Sequence, residues 1–146
     1  MFDITLITAA RYDCWCYALR CGDRRKEVSG CEPGNTGCRV ELRALIEALK
    51  AIRHPSCIRL ALGSKQIIKG IAELLPRWKS NGWRGSKKNR PLSNLDLWQE
   101  IDMLLSNHVI TAVNARKDPT LRPDSDHCAA MARNNHARLD HLSAAE

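Results

Sequence analysis

The segment from residue 39 to residue 53, RVELRALIEALKAIR, constrains the fold of this chain more than any other stretch. Its large apolar residues recur at helical spacing: Leu42, Leu45, Ile46, Leu49 and Ile52. Charged residues fall between them, so the segment predicts an amphipathic helix whose apolar face must be covered by a sheet or a second helix. Glu41 lies in the first turn, on the flank of that face. A carboxylate there either stabilises the helix N-terminus or has a functional role.

The remaining segments predict an α/β chain. Five apolar or alternating runs are typical of strands: residues 3–9, 14–21, 26–31, 57–62 and 108–114. Further helices are predicted over residues 65–75, capped by Ser64 and disturbed by Pro76, and over 95–105, capped by Ser93 or Asn94. A terminal helix is expected to start at an N-cap of Asp124 or Ser125. The order of elements indicates a five-stranded mixed sheet, three antiparallel strands followed by parallel crossovers, flanked by helices.

The length and the cysteines bound the class of protein. A chain of 146 residues is expected to form one domain, residues 1–146, with a frayed tail at 142–146. It has seven cysteines, an odd number, and its N-terminus has no basic region before the short apolar run. We therefore expect no signal peptide, reduced thiols and a cytoplasmic protein. Cys14 and Cys16 alternate as inward residues of a strand, and no second close Cys or His pair accompanies them, so structural zinc is not expected.

Positive charge is concentrated in one part of the chain. The net charge is +7, which favours an acidic partner such as nucleic acid. The segment 77–94, RWKSNGWRGSKKNRPLSN, holds six of the Lys and Arg residues together with two tryptophans and two glycines. This composition is too polar for a core element. It predicts a basic excursion between two helices, at about residues 76–93.

Several motifs together resemble bacterial type 1 ribonuclease H. These motifs are RVEL at the start of the central helix, LALGSKQIIKGI, WKSNGW followed by KK, NLDLWQEID, and HCAAMAR in the terminal helix. They fall in the family's order and extend over nearly the whole chain. The resemblance implies an RNase H-like fold, and it implies cleavage of the RNA strand of RNA/DNA hybrids by two metal ions held by four carboxylates, because Mg²⁺ takes hard oxygen ligands.

The resemblance also implies that this catalytic set is lost. The glutamate of the family's central helix is retained as Glu41, whereas Ala9, Gly63 and Ala129 stand where the family has aspartates. With one ligand of four, we expect no catalysis, no catalytic residue beyond the remnant Glu41, no cofactor and no tight binding of Mg²⁺. An alternative is that other acids rebuild a metal site. The candidates lie in the last loop and the start of the terminal helix: Asp118, Asp124 and Asp126.

The resemblance retains more of the family's nucleic-acid-binding residues than of its metal-binding carboxylates. The family's basic protrusion, which holds the DNA strand of the hybrid, corresponds to Lys79, Trp83, Arg84, Lys87, Lys88 and Arg90. Thr36 and Asn94 align with two members of its DNA-phosphate pocket. Trp78 and Trp98 are expected to pack between helices, and Trp83 is the candidate for stacking on a base or sugar at the surface.

Three hypotheses for function follow. The first is a noncatalytic nucleic-acid-binding protein that contacts RNA/DNA hybrid, structured RNA or duplex DNA through phosphates. The second is a protein-interaction module within a larger nucleoprotein assembly. The third is a ribonuclease H hydrolase with a rearranged metal site. Steep weakening of binding by salt distinguishes the first from the second, and cleavage that requires a divalent metal identifies the third.

Overall fold

The central strand of the sheet is the first strand of the chain. The computed structural model describes residues 1–35, 37–84 and 92–145, with side chains as far as residue 139. The strands are β1 (Phe2–Arg11), β2 (Cys14–Cys21), β3 (Arg24–Cys31), β4 (Ser56–Leu62) and β5 (Val109–Asn114). They lie in the order β3-β2-β1-β4-β5. The first three strands are antiparallel, and β4 and β5 are parallel crossovers, as the sequence predicted.

Helices cover both faces of this sheet. They are α1 (Cys38–Ala51), α2 (Lys65–Lys69), α3 (Leu75–Ser80), α4 (Leu95–Leu105) and α5 (Arg122–Ala145), with a π-helical turn at Gly70–Leu74 between α2 and α3. The five strands and their flanking helices form the RNase H-like architecture. Helix α5 runs to Ala145, so the backbone of the expected frayed tail is helical up to that residue. In the part of the chain that is described, no helix combines the length and apolarity needed to cross a bilayer.

The two faces of the sheet have separate cores. Leu6 packs with α1 and α4, whereas its neighbour Ile7 packs with Cys128 and Ala129 of α5. This alternation follows from the two-residue period of a strand. Helix α1 is buried along the face that its spacing predicted, and α4 packs beside it through Trp98. The central helix is therefore fixed against the sheet, and Glu41 is held at one end of β1.

The prediction that Pro76 disturbs its helix is confirmed, because a π-helical turn interrupts the helix just before this residue. The disturbance does not end the helix, which continues through Pro76 to Ser80. Proline lacks an N–H and clashes with the carbonyl four residues earlier, so it fits only where no intrahelical donor is needed. The wider turn places Pro76 in the first turn of α3, where that condition is met. At the other end, Ser64 caps α2 as predicted, because its Oγ accepts the Ile67 N–H at 3.3 Å.

The predicted cap of the terminal helix is replaced by other contacts. Helix α5 begins at Arg122, so Asp124 and Ser125 lie inside it rather than at its cap. The Asp124 carboxylate is buried and forms ion pairs with two arginines of the sheet, Arg20 and Arg25. The first N–H groups of α5 are instead met by the loop before it, since the Asp118 carbonyl accepts the Arg122 N–H.

The expectation that all cysteines are reduced was wrong for one pair. A disulfide joins Cys14, the first residue of β2, to Cys31, the last residue of β3. The two residues are directly opposed in the antiparallel register, which brings their sulfurs together. Cys16 is buried on the face of the sheet that α5 covers, 3.5 Å from the sulfur of Cys128, and both of these thiols are free. The cytoplasmic location remains a prediction.

Candidate functional site

A cavity of about 290 Å³ opens where the end of β1 and the end of β4 meet α1 and α5. Ala9, Glu41, Gly63 and Ala129 all line it. These are the four positions that the sequence resemblance assigned to metal-binding carboxylates. They are separated by 120 residues in the chain and are brought together because β1 and β4 are parallel neighbours with α1 and α5 on opposite faces. The predicted convergence is therefore confirmed, and one carboxylate is present in the set.

Glu41 is held by hydrogen bonds from the sheet side of the cavity. Thr8 Oγ1 donates to Glu41 Oε1 at 3.2 Å, and the backbone N–H of Gly63 also donates to the carboxylate. Burial raises the pKa of Glu41, because a charged carboxylate loses solvation there. These two hydrogen bonds and the nearby guanidiniums of Arg11 and Arg116 oppose that shift without cancelling it. The retained carboxylate is thus a fixed, poorly solvated acid.

Three arginines line the same cavity, and the sequence reasoning did not identify them: Arg11, Arg116 and Arg122. Arg11 ends β1 and donates to the carbonyl of Ala10 at 2.7 Å. Arg116 follows β5, where its backbone N–H is held by Asn114 Oδ1 at 3.0 Å. Arg122 is the first residue of α5. The available signal was that Arg11 and Arg116 lie within two residues of strand ends that reach the same edge of the sheet.

The residues at this cavity do not fit a pair of divalent metal ions. Of the three acids that could have rebuilt a metal site, Asp126 lines the cavity and the other two are used elsewhere. Asp118 Oδ2 accepts from Arg59 at 2.7 Å, and Asp124 is paired with Arg20 and Arg25. Two ions would need several hard oxygen ligands, but the lining offers two carboxylates against three guanidiniums. We therefore assign no metal to this site.

A second group of possible ligands lies elsewhere. Within the described residues, Asp13, Cys14 and His136 are the one set of His, Cys, Asp or Glu whose ligand atoms are mutually close enough for a metal. The Cys14 sulfur is already bonded to Cys31, and His136 Nδ1 lies 2.9 Å from Asp13 Oδ1. These contacts account for the group without a metal ion.

The structure describes some of the residues that were predicted to bind nucleic acid. Lys79 is exposed, although its Nζ lies 3.4 Å from Asp102 Oδ1. Arg84 is exposed, and its backbone is held by the side chain of Asn81. The Asn94 Oδ1 accepts from Arg39 at 3.3 Å, which adds a cation to that position. Four other predicted contact residues lie outside the described residues: Thr36, Lys87, Lys88 and Arg90.

The tryptophans behave largely as predicted. Trp78 and Trp98 are buried against each other in an edge-to-face pair with ring centroids 5.2 Å apart. Trp83 is partly buried, and part of its ring packs against the core. Its backbone has a positive φ of 65°, and its N–H donates to the Trp78 carbonyl at 2.7 Å. The ring is therefore anchored by α3 and keeps only part of its surface for a ligand.

Comparison with known proteins agrees with this geometry. A model of the RNase H family matches residues 8–117. The chain belongs to the RNase H family. Ribonuclease H of Cupriavidus necator is 43% identical over 97 residues, covering 66% of this chain and 66% of that protein. Ribonuclease HI of Caulobacter vibrioides is 39% identical over 94 residues, covering 64% of this chain and 62% of that protein. The similarity thus spans just under two thirds of the length of these relatives.

Solved structures share the fold at lower sequence identity. The crystal structure of a type 1 RNase H with the type 2 active-site motif matches with a TM-score of 0.73 at 20% identity, covering 92% of this chain and 74% of that one. The foamy viral protease-reverse transcriptase, solved in complex with RNA/DNA hybrid, matches with a TM-score of 0.62 at 18% identity, covering 90% of this chain and 20% of that one. These likenesses establish the fold of an RNase H family member.

Proposed function

We propose that this chain is a noncatalytic, nucleic-acid-binding member of the RNase H family that contacts RNA/DNA hybrid or another duplex through phosphates. The observation that carries the proposal is the composition of the cavity. Ala9, Gly63 and Ala129 surround Glu41 where the family resemblance places aspartates, and arginines line the same space. A site built to hold two Mg²⁺ ions needs clustered carboxylates, so this lining supports loss of the metal-dependent reaction.

The binding half of the proposal rests on charge and on family membership. The chain carries a net charge of +7, and the exposed Arg84 directly follows the partly exposed Trp83 in the sequence. Cations contribute to nucleic-acid affinity by releasing counterions from phosphates, and an aromatic ring adds sequence-tolerant stacking. The relatives that match are named ribonuclease H, and a foamy viral neighbour was solved with RNA/DNA hybrid. A hybrid or related duplex is accordingly the first ligand to test.

Binding and cleavage are tested with the same purified protein. A labelled RNA/DNA hybrid is titrated at several salt concentrations, and its cleavage is followed in Mg²⁺ and in Mn²⁺. We expect measurable binding that weakens steeply with salt and cleavage no faster than background. Cleavage that requires metal and disappears in Glu41→Gln, in a preparation free of host ribonuclease H, would establish the hydrolase hypothesis instead.

Variants of the basic protrusion separate binding from general electrostatic attraction. Changing Lys87, Lys88 and Arg90 together to Ala should flatten the plot of log affinity against log salt by about 2 to 3 units, because each cation neutralises roughly one phosphate. The matched control changes Arg24, Lys26 and Arg53 to Ala. These three cations line a groove at the start of β1 and have the same total charge.

The control variant should lose much less affinity than the protrusion variant. Trp83→Ala should weaken binding by about 1 to 3 kcal/mol with little change in slope, since stacking releases no counterions. If the protrusion variant binds hybrid as tightly as the parent protein at every salt concentration, the nucleic-acid proposal is wrong. The protein-interaction module within a larger nucleoprotein assembly then becomes the better hypothesis.

A further inference from the structure

The cavity around Glu41 has a concentration of positive charge. Arg11, Arg116 and Arg122 reach it from three separate places: the end of β1, the loop after β5 and the start of α5. Among the described residues, none of the three forms a salt bridge. Other arginines of the chain do pair with carboxylates: Arg20, Arg25, Arg39, Arg43 and Arg59. Within the described residues the cavity therefore holds guanidiniums that no salt bridge engages, although Arg11 and Arg116 also favour the charged form of the buried Glu41.

The charge balance of the lining favours an anion. Three guanidiniums face two carboxylates, Glu41 and Asp126. The Glu41 carboxylate is already occupied on the sheet side by the Thr8 hydroxyl and the Gly63 N–H. Clustered cations in a concave, partly desolvated site raise the local concentration of anions more than the same cations spread over a flat surface. Asp126, Arg116 and Arg122 are all exposed, so solvent screens each of these charges alike, and the lining keeps an excess of one positive charge.

The size of the cavity and its donors specify the class of anion. Its volume of about 290 Å³ lies at the low end of the range for ligand sites, which suits a small group rather than a whole nucleotide. The small residues Ala9, Gly63 and Ala129 leave this space open. Arginine matches phosphate oxygens with two parallel N–H donors. Ser125, in the first turn of α5, adds a hydroxyl at the positive end of a 24-residue helix.

We infer that this cavity is a phosphate-binding site, in which Arg11, Arg116 and Arg122 hold a phosphate monoester such as the terminal phosphate of a nucleotide or of a nucleic-acid strand. A free inorganic phosphate shares this chemistry and would use the same donors. The site does not depend on the basic protrusion, which belongs to a different segment of the chain. At the place in the fold where the family resemblance implies two metal ions, this site would hold one anion.

The test measures binding of three small probes to the intact chain by calorimetry: a nucleoside 5′-monophosphate, the same nucleoside without phosphate, and inorganic phosphate. We expect the monophosphate to bind and the nucleoside not to bind. The double variant Arg116→Gln with Arg122→Gln should lose at least about tenfold in affinity, since two charge-assisted contacts are removed. Both residues are exposed, so the variant should keep the parent melting temperature.

The matched control is Arg24→Gln with Arg53→Gln, which removes the same charge at the other end of β1 and should change the affinity by less than about twofold. A single strand with a 5′-phosphate is then compared with the same strand carrying a 5′-hydroxyl. Tighter binding of the phosphorylated strand assigns the site to strand ends, and equal binding assigns it to free phosphate or mononucleotides. Absence of phosphate binding, or equal losses in the two double variants, would overturn the inference. If the parent protein binds phosphate but does not bind RNA/DNA hybrid, only the proposed function is refuted.

Discussion

Gly70→Ala should destabilise the protein, although the same change in most helices is stabilising. Gly70 is the first residue of the π-helical turn, and a Cβ placed on it would lie 2.4 Å from Cη2 and 2.8 Å from Cζ2 of Trp98. Carbon atoms in good contact are about 3.5 to 4.0 Å apart, so the ring would have to move by roughly 1 Å. Trp98 has little freedom to do so, because it is buried and packs edge-to-face on Trp78.

The expected cost is the difference between two opposing effects. Forcing extra atoms into a well-packed core typically costs about 1 to 3 kcal/mol. Replacing glycine by alanine within a helix stabilises the helix by about 0.8 to 1 kcal/mol. Because the buried Trp98 ring is held by Trp78, the packing cost here should lie in the upper part of its range, about 2 to 3 kcal/mol. We therefore expect a net loss of about 1 to 2 kcal/mol in the free energy of unfolding. For a chain of this length that corresponds to a fall of roughly 3 to 6 °C in the melting temperature.

Urea and thermal unfolding followed by circular dichroism measure this loss. The matched control is Gly63→Ala, where the nearest atom to the new Cβ is Arg116 Nε at 3.7 Å, an ordinary contact, and the change should stay within about 0.5 kcal/mol. In a Trp98→Phe background the smaller ring should relieve the clash, so Gly70→Ala should cost about 1 kcal/mol less there. A Gly70→Ala protein as stable as the parent, or an equal cost in both backgrounds, would refute the reasoning.

Two further predictions concern the cavity acid and the disulfide. Burial raises the pKa of Glu41, so the folded state holds its charged form less favourably than the unfolded state does. Glu41→Gln should therefore raise the melting temperature at pH 7.5. This gain should shrink as the pH falls towards the ordinary glutamate pKa of about 4.3, because the carboxyl group then becomes protonated in both the folded and the unfolded state. A melting temperature of Glu41→Gln below that of the parent at pH 7.5 would contradict the prediction. In the unfolded protein without reductant, thiol titration should find five free cysteines of seven, and reducing the Cys14–Cys31 bond, which spans 17 residues, should cost about 3 kcal/mol. Seven free thiols before reduction would show that the bond is absent.

The parts of the fold that the sequence predicted are those that depend on local periodicity. The alternation around β1 and the apolar spacing of α1 each specify a buried face without reference to distant residues. The cap of α5 was predicted wrongly because the Asp124 side chain is engaged by Arg20 and Arg25, about 100 residues away in the chain. A local sequence pattern cannot predict an ion pair between residues so far apart in the chain. The approximate position of a helix end can therefore be predicted from the sequence, whereas the partners of the side chains near that end cannot.

The candidate site shows the same division. The convergence of Ala9, Gly63 and Ala129 on Glu41 followed from motif order, because the motifs specify strand ends and helix starts that meet in this fold. The cavity arginines were missed because each looks like an ordinary surface cation until the topology places it beside the others. Charge that accumulates from separate elements is a property of the folded chain, and composition reports only its total.

The arginines of the cavity also affect what carboxylates introduced there could do. Aspartates introduced at residues 9, 63 and 129 would meet guanidiniums already in place, and the site of a Cβ on Gly63 lies 3.7 Å from Arg116 Nε. Such carboxylates would form internal ion pairs before they could bind Mg²⁺, because the guanidinium is covalently tethered beside them. With three added aspartates the lining would hold five carboxylates and three guanidiniums, so most of the added charge would be paired with arginine, and freeing it for a metal ion would require removing the arginines as well. A cavity lined by these arginines and a cavity lined by the family's carboxylates are thus two different charge arrangements, and changing only the acids or only the arginines does not convert the first into the second.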